Sequence, residues 1–286
     1  MWVADKWRDY ELIDCSGGEK LERWGKYILR RPEPQAIWNT PKDDPRWEKA
    51  HAVYRRSGGG GRWEVKNVPE SWNISYGDLK FLIKPMNFKH TGLVPEQAAN
   101  WDYMRGKIAA AHRPVSVLNL FAYTGAATVA AAKAGASVCH VDAAKGMVAH
   151  AKDNARLSGA ENLPVRWLID DCFAFAAREK RRGHKYDAII MDPPSYGRGP
   201  SGEIWKLEDS LWDFVRLCSE LLTDEPLFMI INSYTTGLSA STLSYICSAA
   251  LHDRFGGSAH SEELGLIATD SGFALPCGAA TRWEAD

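Results

Sequence analysis

Residues 115–134 read VSVLNLFAYTGAATVAAAKA, and this stretch decides the fold class. The apolar run from Val115 to Phe121 predicts a buried strand, and the alanine-rich run near Ala126 to Ala134 predicts a helix. Small side chains in the turn between them let the backbone come close to a ligand at the N-terminus of the helix. A buried strand that leads directly into a helix is typical of a parallel α/β sheet.

The same alternation of strands and helices extends from about Pro95 to the C-terminus. Pro95 is predicted to start a helix that continues towards Ala111. Further strands are predicted over 137–141, 165–169, 186–191 and 227–231, and further helices over about 145–157, 173–182, 205–222 and 239–251. The tail over 262–283 predicts a closing antiparallel hairpin. We therefore expect an α/β fold with a Rossmann-like, seven-stranded, mostly parallel sheet and a C-terminal antiparallel hairpin.

Residues 1–94 have a different pattern and predict a smaller N-terminal α+β domain that is rich in strands. Short β-type runs such as Trp72 to Tyr76 and Leu79 to Ile83 are separated by Pro, Asn or Gly. Between such runs, Pro45 to Arg56 predicts a helix. The run Ser57 to Gly61 predicts a flexible loop, which either closes over a substrate or is a plain solvated connection. The expected domains are therefore 1–94 and 95–286.

The composition excludes several classes of protein. The chain has 286 residues with 35 Lys and Arg against 36 Asp and Glu, which is not typical of a fibrous or disordered chain. Its apolar runs are shorter than the roughly 20 residues that cross a bilayer, and charges replace an apolar signal at the N-terminus, so we expect a cytoplasmic protein. The six cysteines are spread singly, which indicates neither a disulfide framework nor a metal site. Four scattered histidines are expected to have structural or surface roles: His90, His140, His150 and His184.

Charge and tryptophan are distributed unevenly along the chain. Residues 1–113 contain 20 Lys and Arg and 15 Asp and Glu, whereas the remaining residues contain 15 and 21. The first segment also contains eight of the 12 tryptophans: Trp2, Trp7, Trp24, Trp38, Trp47, Trp63, Trp72 and Trp101. Basic charge among aromatic rings suits a surface that neutralises phosphates and stacks bases. The alternative is that tryptophan fills the core of a small β-rich domain.

Candidate binding residues follow three predicted strands at their carboxyl ends, where open α/β sheets bind ligands. The turn after the first strand contains Ala122, Tyr123, Thr124 and Gly125. This turn lacks the three-glycine dinucleotide fingerprint, which favours a nucleoside without a pyrophosphate. Asp142 ends the second strand and can accept ribose hydroxyl hydrogens. Asp171 and Cys172 follow the third strand, where a carboxylate can accept from an adenine amino group; the alternative is that Asp171 only caps the next helix.

The fourth strand is followed by the most specific motif, Asp192-Pro193-Pro194-Ser195-Tyr196. The two prolines stiffen the loop and lack N–H donors, which leaves carbonyl acceptors directed outward beside the Asp192 carboxylate. Such an array accepts hydrogen bonds from an amino group. Tyr196 can stack on a planar base and hold its nucleophilic atom in line with a methyl donor. The alternative is a purely structural Asp-Pro-Pro turn.

Together these motifs resemble those of the class I S-adenosylmethionine-dependent methyltransferases. They are similar in particular to the bacterial large-subunit ribosomal RNA methyltransferases of the RlmI and RlmK type. The resemblance covers roughly Lys89 to the C-terminus and also includes His90-Thr91-Gly92 followed by Glu96-Gln97. Residues 1–94 are similar to the middle domain of that family.

The resemblance implies roles for the motif residues. The cofactor would be S-adenosylmethionine, bound by the turn after the first strand, by Gln97, by Asp142 at the ribose, and by Asp171 and Cys172 at the adenine. The target would face four catalytic residues: Asp192, Pro193, Pro194 and Tyr196. The implied partner is RNA, bound through the N-terminal domain and the Asp-Pro-Pro loop, in a chain that could form a homodimer.

One departure from the family bears on the reaction. The family's cytosine-C5 enzymes have Ser-Cys-Ser after the fifth strand, because a thiolate must first add to the ring. This chain has Ser233-Tyr234-Thr235 there. We therefore expect methylation of a base nitrogen, which needs positioning and the removal of one proton but no covalent intermediate. The alternatives are methylation of a small molecule or a protein, or a nucleoside- or RNA-binding module without catalysis.

Overall fold

The computed structural model describes residues 1–57, 60–86, 88–198 and 204–285. The chain packs as two compact units. The first contains Met1–Ala99 and Leu264–Cys277, and the second contains Asn100–Glu263 and the residues from Gly278 onward. The domain boundary between residues 94 and 95 stays a prediction. Within the described ranges, no helix is long and apolar enough to cross a membrane.

The first unit consists mainly of short strands. They are β1 (Trp2–Val3), β2 (Tyr10–Ser16), β3 (Glu19–Trp24), β4 (Tyr27–Pro32), β5 (Ala52–Ser57), β6 (Gly60–Val65), β7 (Trp72–Tyr76) and β8 (Leu79–Ile83). Five of them form a sheet of order β2-β3-β4-β5-β6, in which only β4 and β5 are parallel, and β7 and β8 form a separate hairpin. Two short 3₁₀ helices lie at Pro45–Trp47 and Pro95–Gln97. The unit is thus rich in strands, as predicted.

Two predictions for this unit are wrong. The predicted helix from Pro45 to Arg56 is a single 3₁₀ turn followed by β5, because pairing of β5 with β6 overrides the local helical pattern. The predicted loop from Ser57 to Gly61 begins and ends in strands, since Ser57 pairs with Gly60. A Cβ atom on Gly61 would lie 2.6 Å from the ring of Tyr54, so this glycine makes room for a cross-strand aromatic side chain. Gly58 and Gly59 lie outside the described residues.

The tryptophans of the first 113 residues support the core-filling alternative. Trp24, Trp47 and Trp101 are buried, and the other five are half-buried. Five indole N–H groups donate to oxygen atoms of the first unit: Trp7 to Pro95, Trp38 to Cys15, Trp47 to Asp14, Trp63 to Phe88 and Trp72 to Trp24. Indole groups that are packed and hydrogen-bonded in this way stabilise the unit.

The second unit contains the large sheet and its helices. Its helices are α1 (Ala98–Ala110), α2 (Ala126–Lys133), α3 (Lys145–Leu157), α4 (Cys172–Arg182), α5 (Leu207–Ser219) and α6 (Ala240–Phe255). The strands are β9 (Ser116–Leu120), β10 (Ser137–Asp142), β11 (Val165–Ile169), β12 (Ala188–Met191), β13 (Tyr196–Arg198), β14 (Ile204–Lys206), β15 (Phe228–Ser233), β16 (Ser258–Ile267) and β17 (Ala274–Glu284). Residues 264–267 of β16 and 274–277 of β17 are counted with the first unit. The predicted α/β class is therefore confirmed.

The sheet has the order β16-β17-β15-β12-β9-β10-β11, and β1 pairs with the outer edge of β16 as an eighth strand. The strands β15, β12, β9, β10 and β11 are mutually parallel, and β17 is antiparallel to β15. All residues of β12 and β15 are buried, because helices cover both faces. These seven strands and the antiparallel hairpin confirm the predicted topology.

The strand order positions the site. From β9 the chain moves outward to β10 and β11, then returns to the other side of β9 with β12. The crossover connections after β9 and β12 therefore leave on opposite sides, which opens a crevice at the carboxyl ends of these two strands. Both sequence motifs lie there: the turn from Phe121 to Gly125 follows β9, and Asp192-Pro193-Pro194 follows β12.

Candidate functional site

The turn after β9 has an unusual backbone conformation. Phe121, Tyr123 and Gly125 have φ angles of 54°, 50° and 75°. The left-handed region suits glycine, and each non-glycine residue held in it costs about 1–3 kcal/mol. Gly125 is also required sterically, because a Cβ atom there would lie 2.7 Å from the Cβ of Ala151. The turn thus brings its backbone close to α3 and begins α2 directly at Gly125.

Two side chains hold this turn in place. The Asp142 carboxylate accepts from the backbone N–H groups of Tyr123 and Ala144, each at 2.8 Å. Asn154 of α3, which is fully buried, donates to the Thr124 carbonyl at 2.8 Å. Burial raises the pKa of Asp142, although the two N–H donors oppose the increase. A carboxylate has about four acceptor positions, so Asp142 can still accept from two hydroxyl groups.

A neutral polar chain lies beneath the turn. Asn119 of β9 donates to the Thr128 hydroxyl at 2.9 Å, and this hydroxyl lies 2.9 Å from Nδ1 of His140. Burial lowers the pKa of His140 to about 3, so the imidazole is neutral at pH 7. The structural role predicted for His140 is consistent with this packing. Sequence reasoning missed Asn119, Thr128 and Asn154, because these polar residues occupy strand and helix positions that are ordinarily apolar.

Asp171 and Cys172 lie at the end of the neighbouring strand. Asp171 caps α4, because its Oδ1 accepts from the N–H of Ala174 at 2.8 Å, as the alternative interpretation expected. Cys172 is buried, and its Sγ accepts from the N–H of Phe121 at 3.2 Å. Burial raises the pKa of this thiol well above its ordinary value, which excludes a thiolate nucleophile at pH 7. The thiol instead connects the start of α4 to the turn after β9.

Apolar groups that the sequence did not single out lie beside these residues. Phe173 is 43% exposed and stacks on the buried Phe214 at a centroid distance of 5.7 Å. Ile169 at the end of β11 is 54% exposed. An exposed ring and an exposed branched side chain next to a capping carboxylate form an apolar surface with polar groups at one end. The only sequence signal for Phe173 was its place directly after Cys172.

The Asp192 loop extends β12 at the crevice. The N–H of Asp192 donates to the Leu120 carbonyl at 3.4 Å, and Asn232 of β15 donates to the Met191 carbonyl at 3.3 Å. Asp192 is half-buried, Pro193 is buried and Pro194 is exposed. Tyr196, at the start of β13, is 52% exposed. The acid therefore lies at the mouth of the crevice, and the Tyr196 ring is accessible to solvent.

The hairpin of β13 and β14 corrects two predictions. Trp205 was expected in a helix, but it pairs with Gly197 in β14, and α5 begins only at Leu207. The Trp205 indole also donates to the Pro194 carbonyl at 2.6 Å. The expectation that both proline carbonyls are directed outward as acceptors is therefore wrong for Pro194. Among the described residues, none donates to the Pro193 carbonyl.

Comparison with known proteins identifies the family. Residues 44–240 match the sequence profile of a family described as S-adenosylmethionine-dependent methyltransferase. The chain belongs to this family. It is also similar to the crystal structure of a SAM-dependent methyltransferase from Agrobacterium tumefaciens, with 36% identity and a TM-score of 0.95 over 99% of this chain and 93% of that one. The sequence-based assignment to the methyltransferases is confirmed.

A more distant solved structure agrees with the fold, and two curated relatives agree with the family. A putative SAM-dependent methyltransferase from Streptococcus mutans has 17% identity and a TM-score of 0.76 over 98% of this chain and 76% of that one. The ribosomal RNA large subunit methyltransferase K/L of Marinobacter nauticus is 33% identical over 46% of this chain and 20% of its own length. The ribosomal RNA large subunit methyltransferase I of Aeromonas hydrophila is 32% identical over 42% of this chain and 30% of its own length. The matched part is thus under a third of each of these two curated relatives.

The residues of this methyltransferase fit the cofactor of the family. The turn after β9 packs so closely against α3 that a Cβ atom on Gly125 would clash, so the shape of the turn depends on glycine at this position. Asp142 retains acceptor capacity for ribose hydroxyls, and Phe173 presents an accessible ring beside Asp171. Gln97 is buried in the first unit, in the 3₁₀ helix Pro95–Gln97, and its cofactor role stays a prediction.

The cysteines of the methyltransferase are all buried. Desolvation raises the pKa of Cys15 and Cys139 to about 11, and it also raises the pKa of the other four thiols. Just after β15, the Thr235 hydroxyl donates to the Ser195 hydroxyl at 2.7 Å, and the neighbouring Tyr234 stands at the position where the resemblance places the thiol of the cytosine-C5 enzymes. Among the described residues, no group of three His, Cys, Asp or Glu side chains is placed to hold a metal ion.

Proposed function

We propose that this chain transfers the methyl group of S-adenosylmethionine to a nitrogen of a base in large-subunit ribosomal RNA. One observation carries the proposal: the turn after β9 and the Asp192 loop after β12 lie at the carboxyl ends of adjacent strands, joined by the Asp192 N–H to Leu120 carbonyl hydrogen bond at 3.4 Å. A cofactor on the first loop and a base on the second would meet in one crevice.

In this proposal the turn from Ala122 to Gly125 holds the methionine part of the cofactor through its backbone. Asp142 accepts from the ribose hydroxyls, and Asp171 and Cys172 frame the adenine, against which Phe173 presents its exposed ring. The cofactor, when bound, supplies an activated methyl group on a sulfonium, so no protein nucleophile is needed.

The target base is assigned to the Asp192 loop. Asp192 and the Pro193 carbonyl accept from the amino group, which aims the nitrogen lone pair at the methyl carbon. Tyr196, half exposed, stacks on the base, and Pro194 shapes the loop through its bond to Trp205. As the nitrogen–carbon bond forms, the sulfur–carbon bond breaks, and the nitrogen loses one proton to Asp192 or to water. Buried thiols of raised pKa leave a C5 addition without a nucleophile.

The first unit is assigned to RNA binding. Arg55 and Arg62 face each other across the β5–β6 hairpin, and both are exposed, as is Arg56. Like charges directly opposite each other are unfavourable, and only Arg55 has an acidic partner among the described residues, Glu64 at 3.3 Å. A phosphate backbone would neutralise this hairpin. An rRNA substrate would place the activity in the cytoplasm.

The test is incubation with tritiated S-adenosylmethionine and large-subunit ribosomal RNA from cells that lack the gene, followed by nucleoside analysis. We expect label in an N-methylated nucleoside and none with Asp192→Ala. Label in 5-methylcytosine would overturn the nitrogen assignment. Label that appears only in protein or small-molecule fractions would overturn the RNA assignment.

A further inference from the structure

The Trp205 side chain lies between the two loops of the proposed site. Its indole N–H donates to the Pro194 carbonyl at 2.6 Å. Its ring contacts the Phe121 ring at a centroid distance of 5.4 Å and the buried Phe214 ring at 5.6 Å. One side chain thus touches the Asp192 loop through a hydrogen bond and the turn after β9 through an aromatic contact.

At one end of this connection, Phe121 belongs to the turn that the proposed function assigns to the cofactor. Phe121 is the first of the positive-φ residues after β9, and its N–H donates to Cys172 at 3.2 Å. Its ring also packs edge-on against Phe214 at 5.6 Å. A residue in a sparsely populated backbone conformation keeps it only while its surroundings hold it there. The position of the Phe121 ring is therefore tied to the shape of the turn.

At the other end, hydrogen bonds on both sides of Pro194 hold the Asp192 loop. Trp205 pairs with Gly197 across the hairpin, and the N–H of Leu207 donates to the Ser195 carbonyl at 3.1 Å. Thr235, two residues beyond β15, donates to the Ser195 hydroxyl at 2.7 Å. Because proline has no N–H, the loop cannot be fixed by its own Pro193 and Pro194 donors. The indole provides a donor from outside the loop.

We propose that Trp205 is a positioning residue that couples the turn after β9 to the Asp192 loop, so that cofactor binding orders the loop that receives the base. The proposal rests on the proposed methyl transfer for its kinetic consequence, but the coupling itself is a property of the protein and the cofactor. Removing the donor while keeping a ring should loosen the Asp192 loop and leave the cofactor contacts in place.

The test compares Trp205→Phe with Trp212→Phe. Trp212 is a matched control, because it lies on α5, is 42% exposed and has its ring 5.8 Å from the Arg216 guanidinium. For Trp205→Phe we expect an S-adenosylhomocysteine Kd within about twofold of wild type and a kcat lower by about threefold to tenfold, the effect of one lost hydrogen bond. Trp212→Phe should leave both unchanged. A kcat within twofold of wild type, or losses of Kd and kcat by the same factor, would overturn the positioning role.

A second readout does not depend on the methyl acceptor. Hydrogen exchange of the peptide over 191–197 is followed with and without S-adenosylhomocysteine. We expect the ligand to slow exchange in this peptide in wild type and in Trp212→Phe, and to leave it unaffected in Trp205→Phe. Equal protection in all three proteins would overturn the coupling. If wild type methylates no RNA but shows this difference, the proposed function fails and the coupling stands.

Discussion

The two units use buried polar residues in opposite ways. In the first unit Glu22 is fully buried, accepts from Nε and Nη2 of Arg31 at 2.6 and 2.7 Å, and also accepts from Tyr10 at 2.8 Å. Beneath the turn after β9 in the second unit, the buried groups are the neutral side chains of Asn119, Thr128, His140 and Asn154. Charge fixes the sheet of the first unit, whereas the turn after β9 rests on neutral side chains and is held by the single carboxylate of Asp142.

The largest expected effect comes from breaking the charged network. Glu22→Ala leaves the Arg31 guanidinium buried without its partner, and we expect a loss of about 3–5 kcal/mol in the free energy of unfolding. Glu64→Ala is the matched control, because its exposed pair with Arg55 should contribute about 0–1 kcal/mol. Urea denaturation measures both. Equal losses in the two variants would contradict the distinction between a buried and an exposed pair.

The neutral support predicts a dependence on pH. Burial lowers the pKa of His140 to about 3 from 6.5, so the unfolded state takes up a proton below pH 6.5 that the folded state takes up only near pH 3. Stability therefore falls as the pH decreases through this range, by about 2 kcal/mol between pH 7 and pH 5. Denaturation curves at the two pH values should show this loss in wild type and in the exposed control His252→Gln. Some slope remains in His140→Gln, because burial also lowers the pKa of His90, to about 4; a loss in His140→Gln equal to that of wild type would contradict the assignment.

The charged network gives a separate pH window. The Arg31 and Lys20 charges lower the pKa of Glu22 to about 2 against the opposing effect of burial, so its contribution is complete above about pH 4.5 and is lost as the pH falls towards 2. The contribution of the Glu22 network should thus be lost at lower pH than that of the neutral support beneath the turn after β9.

Gly125 allows the comparison of the two units to be tested at the proposed cofactor site. Gly125→Ala adds a Cβ that meets Ala151 at 2.7 Å in a left-handed conformation, so we expect the turn to move. The S-adenosylhomocysteine Kd should increase at least about tenfold, whereas the unfolding free energy should fall by only about 1–2 kcal/mol. Calorimetric titration measures the affinity. Gly77→Ala in the β7–β8 hairpin, which also has a positive φ but open space around it, should leave the Kd unchanged.

The smallest expected effect lies on the surface of the first unit. Arg55→Gln with Arg62→Gln removes two opposed charges from the β5–β6 hairpin, and RNA affinity should fall by about tenfold at moderate salt. The slope of log affinity against log salt should decrease by about two. Lys26→Gln, which removes one exposed charge elsewhere in the unit, serves as control. An unchanged salt slope in the double variant would remove the hairpin from the RNA-binding surface.

The sequence predicted the second unit better than the first. The strands β9, β12 and β15 are largely apolar runs that are buried on both faces, so their positions follow from composition alone. The loops at their carboxyl ends could then be identified as ligand sites by topology. The small residues of the turn after β9 also indicated a close approach of the backbone to a ligand.

The features that the sequence did not predict depend on contacts with residues that are distant along the chain. β3 carries Lys20, Glu22 and Arg23 and does not resemble a buried strand, because the residues that neutralise these charges lie on β2, on β4 and just after β4. Trp205 continues the periodic pattern of α5, and only the Pro194 carbonyl and Gly197 place it in a hairpin. Pro45 to Arg56 appears helical locally, but β5 pairs with β6. In each case tertiary pairing overrides a local preference.

The central claim is that the turn after β9 binds the cofactor and the Asp192 loop receives the base. Its most direct test measures the S-adenosylhomocysteine affinity and the methyl transfer of Asp192→Ala together. We predict a Kd within about twofold of wild type and no transfer to RNA, because the acid belongs to the loop that receives the base. Asp142→Ala in the same assay should weaken S-adenosylhomocysteine binding by about tenfold or more. Wild-type transfer by Asp192→Ala, or a loss of its S-adenosylhomocysteine binding equal to that of Asp142→Ala, would contradict the account.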